Sequence, residues 1–350
     1  MTLGRGPAEV PDSVLLADHT TLRVGGPARR LVVARSEAEI VETVRGCDEA
    51  GEPLLILSGG SNLLIGDDGF DGTVLRIATT GIKADVSDCG GAVVRVAAGE
   101  VWDEFVAEAV SQGWVGVEAL SGIPGLAGAT PLQNVGAYGA DVSQTIASVR
   151  TFDRQRGQFA TFPLAECGFG YRTSRFKQAG GRYVVVEVVF HFPLGDWSAP
   201  IRYSELAGRL GVREQQRAPL AAVREAVLGI RAAKGMVLDP DDHDTWSAGS
   251  FFTNPILDAD AELPEGAPRY PAADGRIKTS AAWLIERAGF GKGHLLGPAG
   301  LSTKHVLALT NRGGAQARDI VALARQVRDG VAERFGVVLV PEPVLVGVEI

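Results

Sequence analysis

Apolar residues recur along this chain with two periods, and the switch between them marks the elements. Ser36 and Glu39 form a capping-box pair ahead of Ile40, Val44 and Cys47, which share one helical face, and Gly51 marks the stop. "PLLIL" at 53–57 then reads as a buried strand. "TVLRI" and "VVRVAAG" predict further strands, and Trp102, Phe105, Val106 and Ala109 predict a helix that runs to Gly113. "YVVVEVVFHF" predicts a long strand, and 217–234 predicts a helix.

After Met236 the chain turns acidic and broken, which places a domain boundary there. Beyond it, "KTSAAWLIERAGF" predicts a short helix and "HVLALTN" a strand. Ile320, Leu323, Ala324, Val327 and Val331 predict a long amphipathic helix ending at Gly336, and "VVLVPEPVLVGVEI" predicts a closing strand. The expected class is α+β in several parts, with no internal repeat.

Composition narrows the function. A chain of 350 residues, 45% hydrophobic and 22% charged, is long enough for two or three domains with sizeable cores. Its net charge of -8 argues against a nucleic-acid or anionic-membrane surface, so any phosphate ligand must be met by a local pocket. Three widely spaced cysteines, Cys47, Cys89 and Cys167, predict neither a disulfide framework nor zinc. The acidic run "DPDDHDT" lacks the glycine and glutamate of a calcium loop, so no metal is expected. No apolar leader and no membrane-length apolar run is present, so the expected compartment is the cytoplasm. No protein partner is evident.

The 45 glycines fall in bursts. "SGGSN" at 58–62 leaves a predicted strand, and its successive N–H groups, with Ser61 and Asn62, suit either an anion nest or a plain turn. "SGIPGLAGATPLQNVGAYG" at 121–139 has six glycines and almost no charge, a composition that suits backbone approaching a ligand such as a diphosphate. "GSFFTNP" holds Ser250 beside two phenylalanines, which suits a strand serine better than a nucleophile, since the Gly-x-Ser-x-Gly elbow of a hydrolase is missing.

These segments, with "RVGGPA", "GYRTSRFK", "KTSAAWLIERAGF" and "PEP" in order, closely resemble the UDP-N-acetylenolpyruvoylglucosamine reductase (MurB) family, of the type with a tyrosine loop. That family lies within the vanillyl-alcohol-oxidase/p-cresol methylhydroxylase (PCMH/VAO-type) superfamily of FAD-binding folds. The resemblance implies two α+β FAD-binding subdomains, 1–80 completed by 337–350 and 81–235, and a third α+β substrate-binding domain at 236–336. It implies NADPH-dependent reduction of UDP-N-acetylglucosamine enolpyruvate to UDP-N-acetylmuramate. An FAD-dependent sugar or hydroxy-acid oxidase on the same fold is the alternative.

Residue by residue, the resemblance implies catalytic roles for Arg172, Ser250 and Glu342: holding the developing enolate charge, donating the proton, and polarising the enolate together with Arg172. It implies FAD contacts at Gly59, Gly60, Ser61, Asn62, Leu63, Gly122, Ile123, Gly128, Ala129, Asn134 and Gly136. Tyr203, Lys234 and Asn254 fall to the nucleotide sugar. Ser61 stands where covalent-flavin relatives often carry histidine, which implies non-covalent FAD. Two departures are visible: Ser58 where many members have glycine, and Thr253 where many have lysine.

Overall fold

The computed structural model describes the backbone of Ala8 and Glu9 and residues 14–350. The chain divides into two compact units. The first takes in the described residues up to Val14, Ala28–Gly59 and Asp71–Ala232; the second takes in Leu15–Pro27, Gly60–Phe70 and Ala233–Ile350.

The first unit opens with α1, Glu37–Ala50, capped as expected by Ser36 Oγ, which accepts the Glu39 N–H at 3.2 Å. The Glu39 carboxylate returns to the N–H of Arg35 at 2.6 Å, one residue before the cap. Gly51 ends the helix in the left-handed region. Strand Leu54–Leu57 pairs in parallel with Phe70–Ile77, which neighbours Pro27–Ala34. A larger antiparallel sheet has the order Gln158–Pro163, Ile146–Asp153, Tyr183–Phe192, Gly91–Ala97, Ile82–Ser87. Tyr183–Phe192 lies near the middle and is buried on both faces over most of its length, which is why its sequence is mostly apolar without strict alternation, broken only by Glu187 and His191.

Helix α2, Trp102–Ser111, buries Trp102, Phe105, Val106 and Ala109 against that sheet's core. Phe105 and Phe190 lie 5.2 Å apart between ring centroids, and the Trp102 indole N–H, which would be costly to bury alone, donates to Leu120 O at 3.1 Å. The short α3, Arg175–Gln178, follows, capped by Ser174. Helices α4, Ser204–Leu210, and α5, Leu220–Ala233, build a separate small core from Leu206, Ala207, Val223, Val227 and Ile230.

The second unit is organised by α7, Ala317–Phe335, which buries Ile320, Leu323, Ala324, Val327 and Val331 as their spacing predicts. Its first N–H groups, at Ala317 and Arg318, donate to the Asp67 carboxylate at 2.6 and 3.1 Å; a negative charge is favoured at that helix end. Helix α6, Ala281–Arg287, is capped by Ser280 and packs in the same core.

Two expected strands are shorter than their sequences suggest. "HVLALTN" pairs only over Leu309–Asn311, because Ala308 N–H turns back to His305 O and the Ser302 hydroxyl takes the N–H groups of Lys304 and His305. The closing stretch is a strand only over Val344–Val346, parallel to Leu63–Ile65. Pro341 and Pro343 have no N–H for a ladder, and Gly347 leaves the extended region at φ 67°.

Asp153 ends a central strand almost fully buried and accepts a two-pronged contact from Arg182 at 2.8 and 2.6 Å. Those hydrogen bonds hold its carboxyl below the usual range against the opposing effect of burial. A depressed carboxyl stabilises the fold above the unfolded value of about 3.9, and the contribution disappears as pH falls through the folded value. Asp153→Asn should therefore be less stable than wild type at neutral pH, with a gap that closes under strong acid. Urea titrations at both pH values check this, and a gap independent of pH would contradict it.

Candidate functional site

In the first unit the two glycine loops meet. A Cβ placed on Gly59 would lie 2.6 Å from the Cα of Gly125, closer than carbon atoms approach without bonding, so the contact requires bare backbone. Beside it, the buried Oγ of Ser58 has no hydrogen-bond partner among the described residues, leaving a donor for something outside the chain.

The second loop is knitted to the "GYRTS" segment. Asn134 donates to Gly170 O at 3.2 Å and accepts the Ser143 N–H at 3.1 Å. Ser174 donates to Leu132 O at 2.6 Å, and Arg172 Nη2 donates to Gly136 O at 2.9 Å. Asn134, Tyr138 and Arg172 all have positive φ, at 47°, 51° and 53°, a conformation side-chain-bearing residues avoid. Strain of this kind persists where the surroundings over-determine it, and here it gathers around the candidate residues. Gly122 is buried and Ile123 and Ala129 are partly so. Gly128 lies tight on Ala98, where a Cβ would fall 2.4 Å from the Ala98 Cβ.

Tyr203, 39% exposed, immediately precedes α4 and meets Tyr138 edge to face at 5.4 Å. Burial pushes the Tyr138 phenol up, while the nearby Arg231, itself deeply buried and hydrogen-bonded to Tyr138, opposes that shift. Glu118 is buried too and accepts N–H groups from Gly116 at 2.6 Å and Ala199 at 2.8 Å, pinning the segment that leads into Tyr203. Sequence reasoning missed Tyr138 as an individual residue, Arg231 and Glu118. Tyr138 sits inside a motif already quoted, but nothing in sequence spacing pairs it with a residue on α5.

In the second unit the backbone places Ser250, Glu342 and the Asn62 segment together. Phe252 bridges Pro341 in antiparallel register, the Glu342 N–H donates to Phe251 O at 2.8 Å, and the Thr253 N–H donates to Val340 O at 3.0 Å. Glu342 therefore stands opposite Phe251, the residue that follows Ser250. Asn62 Nδ2 donates to Glu342 O at 3.4 Å, and Val344 N–H donates to Asn62 O at 2.9 Å. Phe251 and Phe252 are fully buried and lock this pairing, while Ser250 and Glu342 stay partly exposed. Gly60 and Ser61 precede Asn62 and Leu63 follows; a Cβ on Gly60 would fall 1.9 Å from His19 O. Asn254 accepts the first N–H of α6, at Ala281, with Oδ1 at 3.0 Å, which fixes its carbonyl end. Lys234 directly follows α5 and is partly exposed.

Comparison with known proteins decides among the readings. A UDP-N-acetylenolpyruvoylglucosamine reductase from Cutibacterium acnes is 60% identical, aligned over 96% of this chain and 90% of its own length. The chain belongs to the UDP-N-acetylenolpyruvoylglucosamine reductase family. The Streptomyces avermitilis member is 57% identical over 96% of this chain and 94% of its own. Residues 239–346 match the family's C-terminal domain, and residues 28–162 match an FAD binding domain. The crystal structure of the Thermus caldophilus family member superposes with a TM-score of 0.63 at 27% identity, covering 97% of this chain and 98% of that one. The fold is the mixed α+β arrangement of that family, and its cofactor is FAD.

The residues present fit FAD. A loop pair whose closest approach excludes any side chain, with an unsatisfied hydroxyl beside it, offers the unshielded backbone and the donor that a flavin dinucleotide uses. Gly59→Ala should push the two loops apart and give folded protein with less flavin bound per chain. Flavin absorbance relative to protein absorbance measures it, and full occupancy would separate the Gly59 contact from cofactor binding.

Proposed function

We propose that this chain reduces UDP-N-acetylglucosamine enolpyruvate to UDP-N-acetylmuramate at the expense of NADPH, in the cytoplasmic stage of peptidoglycan precursor synthesis. The observation that carries the proposal is the match to this family along almost the whole chain, at 60% identity to a reductase of that name over 96% of its residues. We assign FAD to residues 1–80, completed by 337–350, and 81–235, and the substrate to the domain at 236–336.

FAD, bound without a covalent link through residues 59–63 and 122–136, supplies a two-electron carrier between nicotinamide and the enolpyruvyl double bond. The protein's part is to manage charge and a proton. Arg172 holds the carboxylate side of the enolpyruvyl group: its guanidinium is a planar fork matched to a carboxylate, and the bond to Gly136 O restrains one arm. The backbone strain at Arg172 supports a functional placement over that of a solvated surface cation. Negative charge that builds beside the carboxylate is stabilised by donors already in place.

Ser250 hands its hydroxyl proton to the carbon that has become basic, which needs no triad because the carbanion supplies the driving force. Glu342, fixed through its own N–H and carbonyl, polarises the enolate together with Arg172. Tyr203 covers the nucleotide sugar, and Lys234 and Asn254 hold its diphosphate, giving a chain of net charge -8 a local set of donors. An oxidase of sugars or hydroxy acids would be reduced by its sugar or acid in anaerobic mixing and would ignore NADPH; reduction by NADPH alone supports the reductase.

Two variants test the assignments. Arg172→Ala should slow substrate reduction by roughly a hundredfold, the scale for losing a preorganised donor to a developing oxyanion. Near wild-type turnover in folded, FAD-loaded protein would return Arg172 to a surface role. Ser250→Ala should leave flavin reduction by NADPH intact while reoxidation by the enolpyruvyl substrate slows at least about a hundredfold, the lower scale of general-acid catalysis. Stopped-flow traces separate the halves, and equal slowing of both would mean that Ser250 supports the fold or the flavin instead.

A further inference from the structure

Asp103, in the first turn of α2, joins three segments of the first unit. Its Oδ1 accepts the N–H of Gly122 at 2.6 Å, and Arg224 on α5 closes a fork on the same carboxylate, Nη1 to Oδ1 at 2.6 Å and Nη2 to Oδ2 at 2.9 Å. The same end of α2 grips the loop by its backbone. Trp102 N–H donates to Gly125 O at 3.0 Å, and Ala127 N–H donates to Glu100 O at 2.8 Å. The start of the loop is therefore held at Gly122, Gly125 and Ala127, and of these three grips the one on Gly122 is made by a charged side chain.

Burial pushes the Asp103 carboxyl up, but the bonds from Arg224 and Gly122 outweigh it and hold the group below its usual range. It is a full negative charge at neutral pH. A bare carboxylate one hydrogen bond from a loop that must receive a diphosphate would repel its own ligand. Arg224 answers that problem: the fork cancels the charge and leaves the oxygen that orients Gly122 in place.

We propose that Asp103 and Arg224 are positioning residues for FAD, the carboxylate orienting Gly122 in the cofactor loop and the guanidinium cancelling the carboxylate's charge toward the diphosphate. This rests on the reading that residues 122–136 hold the cofactor. It separates the two partners in sign. Losing Arg224 leaves the carboxylate with only the weaker pull of Arg231, whereas losing the Asp103 charge leaves no excess negative charge.

The test is FAD release from the full-length loaded protein after dilution, followed by flavin fluorescence. Arg224→Gln should release FAD roughly tenfold faster, with the difference shrinking at high salt as the repulsion is screened. Asp103→Asn, which keeps an amide oxygen facing Gly122, should stay within about threefold of wild type, and the double variant should return to that range. Wild-type release from Arg224→Gln, or a double variant as fast as Arg224→Gln alone, overturns the proposal. Arg182→Gln, which strips the partner from Asp153 in the same unit, should not speed release; equal acceleration there would assign the effect to general destabilisation and also overturn it. Gly122→Ala, which strains a residue at φ 71°, tests the underlying reading. Fast release from Gly122→Ala with normal release from Arg224→Gln rejects the clamp alone, and wild-type release from both rejects the loop as a cofactor contact.

Discussion

The contact between the backbones at Gly59 and Gly125 is the constraint on which the first unit's site depends. Two polar chain segments can come this close only where neither carries a side chain, and once together they present N–H and C=O groups that no side chain shields. The rest of that neighbourhood holds the two loops in place. Trp102 anchors the start of α2 in the aromatic core, α2 grips residues 122–127, and the "GYRTS" segment is bonded to residues 132–136. The positive φ values at Asn134, Tyr138 and Arg172 are sustained by those bonds together with core packing behind them.

Charge is handled in the same economical way. An acidic protein that binds an anionic cofactor and nucleotide substrates needs few free carboxylates near them and has to neutralise those it keeps. Within the first unit two carboxylates beside the loops are committed to donors: Asp103 to Arg224 and Gly122, and Glu118 to two backbone N–H groups. Arg231 is buried against the Tyr138 phenol, a pairing that a long side chain on the buried face of α5 makes possible. Helix α5 thereby carries Arg224 and, seven residues on, Arg231, two turns along the same face.

The second unit obtains its precision from strand register. Phe251 and Glu342 are far apart in sequence, yet the Glu342 N–H donates to Phe251 O beside the Phe252 to Pro341 bridge, and the buried phenylalanines prevent a slip. Proline on the partner strand limits the ladder to a few bonds. That leaves Glu342 at an edge where its side chain is partly exposed while its backbone is fully engaged.

The long helices, the buried strand Tyr183–Phe192 and the stop signals at Gly51 and Gly336 were legible in the sequence because each depends on neighbours within a turn or two. The two glycine loops and the candidate residues Arg172, Ser250 and Glu342 were legible through motif order, which carries the resemblance to the family. Local rules failed at "HVLALTN" and at the last residues, where a serine hydroxyl and two prolines took the strand's hydrogen bonds away. Only the tertiary structure decided what touches what: that Gly59 lies on Gly125, that Asp103 reaches both Gly122 and Arg224, and that Tyr138 links Tyr203 to Arg231. Residue types and spacing encode a helix face or a turn because those contacts close within a few residues. A carboxylate's partner 121 residues away is chosen by how the helices pack, and no local pattern records that choice.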